Sequence, residues 1–320
     1  MTAGARLGVL LMTYGSPTSL DDVAAYMTRV RGGREPEPEL VAEFRRRYQV
    51  IGGSPLVAIT RAQADALEDA LDGEVPVASG MRFSEPTIEQ ALHDLATRGA
   101  TRVAGIILSP QYSPLIMGGY GRAVDAARAA IAAEGDGREA PEVVMAGAWH
   151  REPGFIAALA GRIGEALERE PVAERGAEPV LLTAHSLPRR IAEQEPDYLA
   201  QLQETASAIS LAAGLERDRW TFCWQSAGHE PGEWMKPDFA DLMPLLAAQG
   251  HRRVLVAPVQ FLSDHLEILY DIDIGAREQA EAAGLAFSRI ESLNTDPRFI
   301  SALATVVQRV PVRDQPRAVA

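Results

Sequence analysis

Two short stretches hold the side chains best suited to chemistry. The first, Leu181-Leu182-Thr183-Ala184-His185-Ser186-Leu187-Pro188, is an apolar run stopped by a histidine and a proline turn. Imidazole titrates near neutrality and offers a ring nitrogen to a metal ion or a proton. A lone histidine often serves only to bond backbone, but His185 stands at the mouth of a strand, where open α/β sheets bind their ligands. The second stretch is Asp264-His265-Leu266-Glu267-Ile268-Leu269-Tyr270-Asp271-Ile272-Asp273, with acids at about helical spacing. Glu267 and Asp271 are four residues apart among Leu266, Ile268, Leu269 and Tyr270. They form either a solvated helix face or a buried row, and a buried carboxylate needs a partner, a proton or a metal. Asp264 and His265 are expected to cap this helix and to support the site from behind.

Elements must carry these groups to one place. Strand-like apolar runs occur at residues 7–12, 75–79, 103–108, 143–148, 180–184, 221–224, 254–259 and 285–290. Amphipathic, alanine-rich stretches lie between most of them, at 88–97, 121–133, 155–168, 199–213 and 266–283. Strand alternating with helix is the pattern of a parallel sheet covered on both faces. The expected fold is α/β with two similar halves, residues 1–150 and 151–320, each a four-stranded parallel sheet flanked by helices. A last helix, about 296–310, is placed where it can pack back on the first half.

Three loose correspondences support an internal repeat. Met12-Thr13-Tyr14-Gly15-Ser16-Pro17 parallels Thr183-Ala184-His185-Ser186-Leu187-Pro188, Glu85-Pro86 parallels Glu230-Pro231, and Gly99 with Arg102-Val103 parallels Gly250 with Arg253-Val254. Equivalence would place Tyr14 and His185 across a cleft from one another. The first half also carries an extra segment, residues 29–60, with Arg29, Arg31, Arg34, Arg45, Arg46 and Arg47. Those guanidiniums are either solvated surface charge or partners for a large anionic ligand.

Composition narrows the chemistry. A net charge of -13 argues against nucleic acid or an anionic membrane as partner. Cys223 is the only cysteine, so the chain alone cannot build a disulfide, a cysteine zinc site or an iron-sulfur cluster. No run reaches the ~20 apolar residues of a membrane span, and a cytoplasmic protein is expected. Ser186 lacks the Gly-x-Ser-x-Gly elbow of a serine hydrolase, and Gly118-Gly119-Tyr120-Gly121 fits neither phosphate-loop pattern, which removes a nucleotide cofactor. A histidine and carboxylates near arginines suit a divalent ion of borderline hardness meeting a large anion.

The chain resembles the ferrochelatase family over almost its whole length. The resemblance rests on Leu11-Met12-Thr13-Tyr14-Gly15-Ser16-Pro17, Tyr48-Gln49-Val50-Ile51-Gly52-Gly53-Ser54-Pro55-Leu56, Ala184-His185-Ser186-Leu187-Pro188, Trp224-Gln225-Ser226 and Asp264-His265-Leu266-Glu267-Ile268-Leu269-Tyr270-Asp271. It implies two Rossmann-like (flavodoxin-like) halves around an active-site cleft, with residues 29–60 as a lid. It further implies insertion of Fe2+ into a porphyrin, with no organic cofactor and no iron-sulfur cluster. His185 and Glu267 match the family's metal and proton site, with Asp264, His265 and Asp271 behind it as support or relay. Tyr14 resembles coproporphyrin III enzymes, where the phenol ligates product iron from the opposite face. Porphyrin contacts carry over to Tyr14, Arg31, Arg47, Tyr48, Ser54 and Tyr120. Two departures stand out: Gly275 replaces a further acid of some relatives, and Phe83 replaces a histidine. A protoporphyrin IX enzyme, another tetrapyrrole chelatase and a porphyrin carrier without turnover stay open, as does a transient partner that takes over the haem-pathway product.

Overall fold

In the computed structural model, whose described residues are 6–134, 139–169, 178–228 and 232–311, every apolar run becomes a strand. β1 (Leu7–Thr13), β2 (Val77–Met81), β3 (Arg102–Ile107) and β4 (Glu142–Met145) form one sheet in the order β2-β1-β3-β4. β5 (Val180–His185), β6 (Trp220–Gln225), β7 (Arg253–Pro258) and β8 (Ala286–Arg289) form a second in the order β6-β5-β7-β8. Every pairing is parallel. The central strands read as unbroken apolar runs because helices cover both faces, and Val9 to Met12 and Val180 to Leu182 are fully buried.

The helices are α1 (Val23–Val30), α2 (Pro38–Val50), α3 (Leu56–Ala70), α4 (Ile88–Thr97), α5 (Pro114–Ala133), α6 (Pro153–Glu168), α7 (Arg189–Ala192), α8 (Pro196–Ala212), α9 (Phe239–Ala248), a π-helix (Glu267–Ala276) running into α10 (Arg277–Ala282), and α11 (Pro297–Arg309). α1 and α2 are the insertion of the first half, and only the single turn α7 stands in the corresponding part of the second.

Strand register fixes how the halves correspond. Leu108 N–H donates to Met12 C=O as Val259 N–H donates to Thr183 C=O, at 2.8 and 2.9 Å. Thr13 pairs with Met81 as Ala184 pairs with Trp224. Tyr14 and His185 are therefore equivalent positions, each at the carboxyl end of its sheet. The proline match needs correction. Residues 229–231, with Glu230-Pro231, lie outside the described residues, and it is Pro237 that accepts from Trp224 N–H as Pro86 accepts from Met81 N–H. Each of these prolines is followed by a capping box that starts a helix, Thr87 with Gln90 and Asp238 with Asp241.

The halves also exchange helices. α6 packs on α8, α11 packs on α3, and the two lie against each other. Arg162 on α6 pairs at 3.1 Å with Asp296, the N-cap of α11, while Arg309 on α11 pairs with Glu152, the N-cap of α6. Buried Gln63 on α3 donates to Ser263 Oγ (3.0 Å) and to Asn294 C=O (2.7 Å) beyond β7 and β8. In the mirror arrangement, Gln111 donates to Thr205 on α8 (2.9 Å), and Gln201 exchanges two bonds with the Tyr112 backbone. One apolar core runs through both halves, from Val9 and Ile106 to Leu182 and Leu255. The point near residue 150 is thus a boundary of topology, with no break in the packing.

Candidate active site

β5 ends on His185, and the next residues hold the ring. The His185 backbone N–H donates to Gln260 Oε1 at 2.8 Å, and the Gln260 amide nitrogen donates to the buried Tyr198 hydroxyl at 2.5 Å. His185 Nδ1 lies 2.5 Å from the Ser186 carbonyl oxygen. A carbonyl can only accept, so Nδ1 carries the hydrogen, and Nε2 is the ring nitrogen left for a proton or a metal. Phe261 stands edge-on to both His185 and His265, at 6.2 and 4.5 Å between ring centres.

The second stretch is a π-helix, a form found mostly as single turns and often at functional sites. Ile268, Ile272 and Ala276 form its buried row, and Glu267, Asp271 and Gly275 form the row beside it. His265 and Asp264 do not cap it, contrary to expectation: no side chain caps its first turn. His265 Nδ1 instead lies 2.8 Å from the Ser263 carbonyl, leaving Nε2 2.9 Å from the Glu267 carboxylate. Burial opposes charge on both groups, but their attraction prevails. His265 is held above the ordinary histidine value, and Glu267, aided by His185, is held down at about 2. Asp271 differs: burial raises its pKa, opposed by the Ser226 hydroxyl, reinforced by Glu267 and opposed again by Arg47, 3.6 Å away. Asp264 is used elsewhere, accepting from Ser292 (2.7 Å), Asn294 (2.9 Å) and Arg289 (3.4 Å) to fix the loop after β8. A Cβ at Gly275 would meet only the Tyr270 carbonyl, at 3.8 Å.

On the first half Tyr14 is 41% exposed, edge-on to Phe83 with 4.6 Å between ring centres. Gly15 makes the turn behind it at φ +87, and a Cβ there would fall 2.1 Å from Ser84 Oγ, the acceptor for Ser16 N–H. Burial raises the Tyr14 pKa, Arg82 lowers it and Glu267 raises it.

The other expected residues lie at the end of α1, on α2, in the loop after α2 and on α5. Tyr48 is buried with Tyr26, Met27 and Leu266, which ties α1 and α2 to the second half. Arg47 pairs with Glu43 at 2.8 Å and lies 5.0 Å over the Tyr270 ring, while Arg46 bonds the Tyr270 hydroxyl. Ser54 and Tyr48 line an open groove of ≈ 520 Å³ with the loop after β1. Arg31 ends α1 at the surface. Tyr120 is buried on α5 beneath Arg82. Gln260, Phe261 and Arg82 escaped the sequence reading, and Ser226 entered it only as part of Trp224-Gln225-Ser226, without a role.

The sequence pattern of the family described as Ferrochelatase matches residues 6–310. The chain belongs to the ferrochelatase family. It is an enzyme of metal insertion into porphyrin. It is 39% identical to the ferrochelatase of Herpetosiphon aurantiacus over 95% of this chain and 98% of that one. It is 38% identical to the coproporphyrin III ferrochelatase of Geobacillus thermodenitrificans, over 94% and 95%. In fold it is similar to SirB from Bacillus subtilis with Fe3+, at a TM-score of 0.57 and 12% identity over 95% of both chains. Among the described residues no helix is long and apolar enough to cross a membrane.

Proposed function

We propose that this ferrochelatase inserts Fe2+ into coproporphyrin III, with His185 and Glu267 acting on one face of the macrocycle and Tyr14 on the other. The observation that carries the reading is the fixed His185 tautomer. Its Nδ1–H is engaged by Ser186 C=O, which leaves Nε2 free beside an ionised Glu267. Insertion replaces two pyrrole N–H protons with one Fe2+, so the site must release a dication and collect two protons. The Glu267 anion suits the dication, His185 Nε2 takes a pyrrole proton, and Asp271 beside Ser226 and Arg47 stands next along the helix to pass protons outward. Iron is a substrate in this scheme, and the chain's own side chains do the rest without an organic cofactor. Tyr14, equivalent to His185 in the repeat, offers its phenol oxygen to the product iron from the opposite side. Arg31, Arg47, Tyr48, Ser54 and Tyr120 meet the propionates and the ring, with α1 and α2 forming the cap.

The Herpetosiphon relative is named ferrochelatase without a substrate, so protoporphyrin IX is the competing reading. Anaerobic kcat/KM values for Fe2+ insertion into the two porphyrins separate them. Coproporphyrin III should be preferred by at least about tenfold, since two additional propionates can each find a guanidinium. Equal values, or the reverse order, would overturn the substrate assignment.

A further inference from the structure

Arg82 has no role in the scheme above, yet its surroundings are specific. It is half-buried where β2 ends, next to Tyr14. Its guanidinium carbon lies 4.7 Å over the Phe83 ring and 5.6 Å over the Tyr120 ring. Among the described residues it meets no carboxylate and makes no side-chain hydrogen bond. The arginines around it differ. Arg29 is bound to Asp22 and Phe83 C=O, Arg46 to Glu43 and Tyr270, and Arg47 to Glu43. Ring faces attract a cation but accept no N–H bond in the guanidinium plane, so the forked donors of Arg82 stay open.

The α5 backbone makes room for this arrangement. A Cβ built at Gly119 would stand 2.0 Å from Arg82 Nη2 and 2.1 Å from its Cζ. Glycine therefore opens a berth against α5 for the guanidinium, which also lies over the Phe83 and Tyr120 rings. That gives Gly119, within a glycine-rich run that fits no phosphate loop, a structural reason. The Arg82 backbone N–H donates to Thr13 C=O and the Phe83 N–H to Tyr14 C=O, so the strand end that carries Arg82 runs alongside Tyr14, while its guanidinium lies over the Tyr120 ring.

We infer that Arg82, seated against Gly119 between two aromatic rings, is an anchor for one carboxylate of the bound porphyrin. The inference rests on the porphyrin reading of the cleft. A half-buried cation with no counter-ion among the described residues is completed by an anionic ligand, and a planar fork fits a carboxylate in bidentate fashion. An anchor here works beside Tyr14, apart from the guanidiniums of α1 and α2.

The test is a fluorescence titration of the protein with coproporphyrin III and, in the same dilute detergent, with its tetramethyl ester, which has no carboxylate. Arg82→Gln should weaken the tetraacid about tenfold or more and leave the ester within about twofold. Gly119→Ala should do the same by displacing the guanidinium, and the double variant should be no weaker than either single one. An unchanged tetraacid affinity in Arg82→Gln, or an equal loss for acid and ester, overturns the anchor while leaving the porphyrin reading intact. If the unaltered protein binds neither porphyrin, the proposed function falls and the anchor with it.

Discussion

Gln260 shows how a side chain away from the chemistry can govern it. It accepts from the His185 backbone and donates to a buried tyrosine hydroxyl, so the end of β5 is held from behind. Gln260→Leu should lower kcat by about tenfold with little change in porphyrin Kd, because a misplaced imidazole affects the reaction more than ground-state binding. An unaltered kcat would show that Ser186 alone suffices to orient the ring. Tyr14 makes a second claim at this scale. Ferric coproporphyrin bound to the protein should show a phenolate-to-iron charge-transfer band that Tyr14→Phe removes, and a band surviving in that variant would assign the ligand elsewhere. The placement of His185 and Tyr14 at strand ends and of Glu267 in a spaced acidic run was legible in the sequence, whereas a role for Tyr14 came only with the family resemblance. Gln260 was not, since its two partners lie 75 and 62 residues away. Asp264 misled in part. With His265 it read as a cap of the helix and as support for the site, but it makes no cap, and its carboxylate is bonded by Ser292, Asn294 and Arg289.

Among the elements, the π-helix and α2 act together. The spacing of Glu267 and Asp271 announced a helix with one acidic row, but an i→i+4 helix and an i→i+5 helix share that signature over one turn. Packing decides between them, and packing cannot be read from the acids. α2 reaches the π-helix through Tyr270, which takes the Arg46 bond on its hydroxyl and the Arg47 guanidinium on its ring face. The arginine-rich insertion is thus fastened to the half that carries Glu267, a contact between residues more than 220 apart. Tyr270→Ala should free α2, raising the porphyrin KM by about three- to tenfold while kcat changes little. A fall in kcat with KM unmoved would mean that Tyr270 serves the π-helix row itself and that α2 is held by other contacts.

At the level of the whole molecule, the strands and their alternation with helices were readable from apolar runs alone, and so was the count of four per half. The return of α11 to the first half was an expectation of the sequence, and it packs on α3; the packing of α6 on α8 was not read, because an amphipathic helix looks the same whichever elements it covers. With α11 on α3, α6 on α8 and a core common to both sheets, neither half has a complete set of covering helices of its own. Residues 1–150 made alone should lack a cooperative thermal transition, whereas the full chain should unfold as one unit. A sharp melt of that fragment would show the halves to be independent. The same shared core sets Tyr14 and His185 at equivalent strand ends of one rigid frame, on which a two-faced insertion site depends. The most direct test is Fe2+ insertion into coproporphyrin III, followed anaerobically as loss of porphyrin fluorescence, with the unaltered protein and His185→Ala side by side. The account predicts steady turnover by the former and a loss of at least about a hundredfold in the latter at nearly unchanged porphyrin affinity. No turnover of coproporphyrin III or protoporphyrin IX by the unaltered protein, or equal activity in the variant, would contradict it.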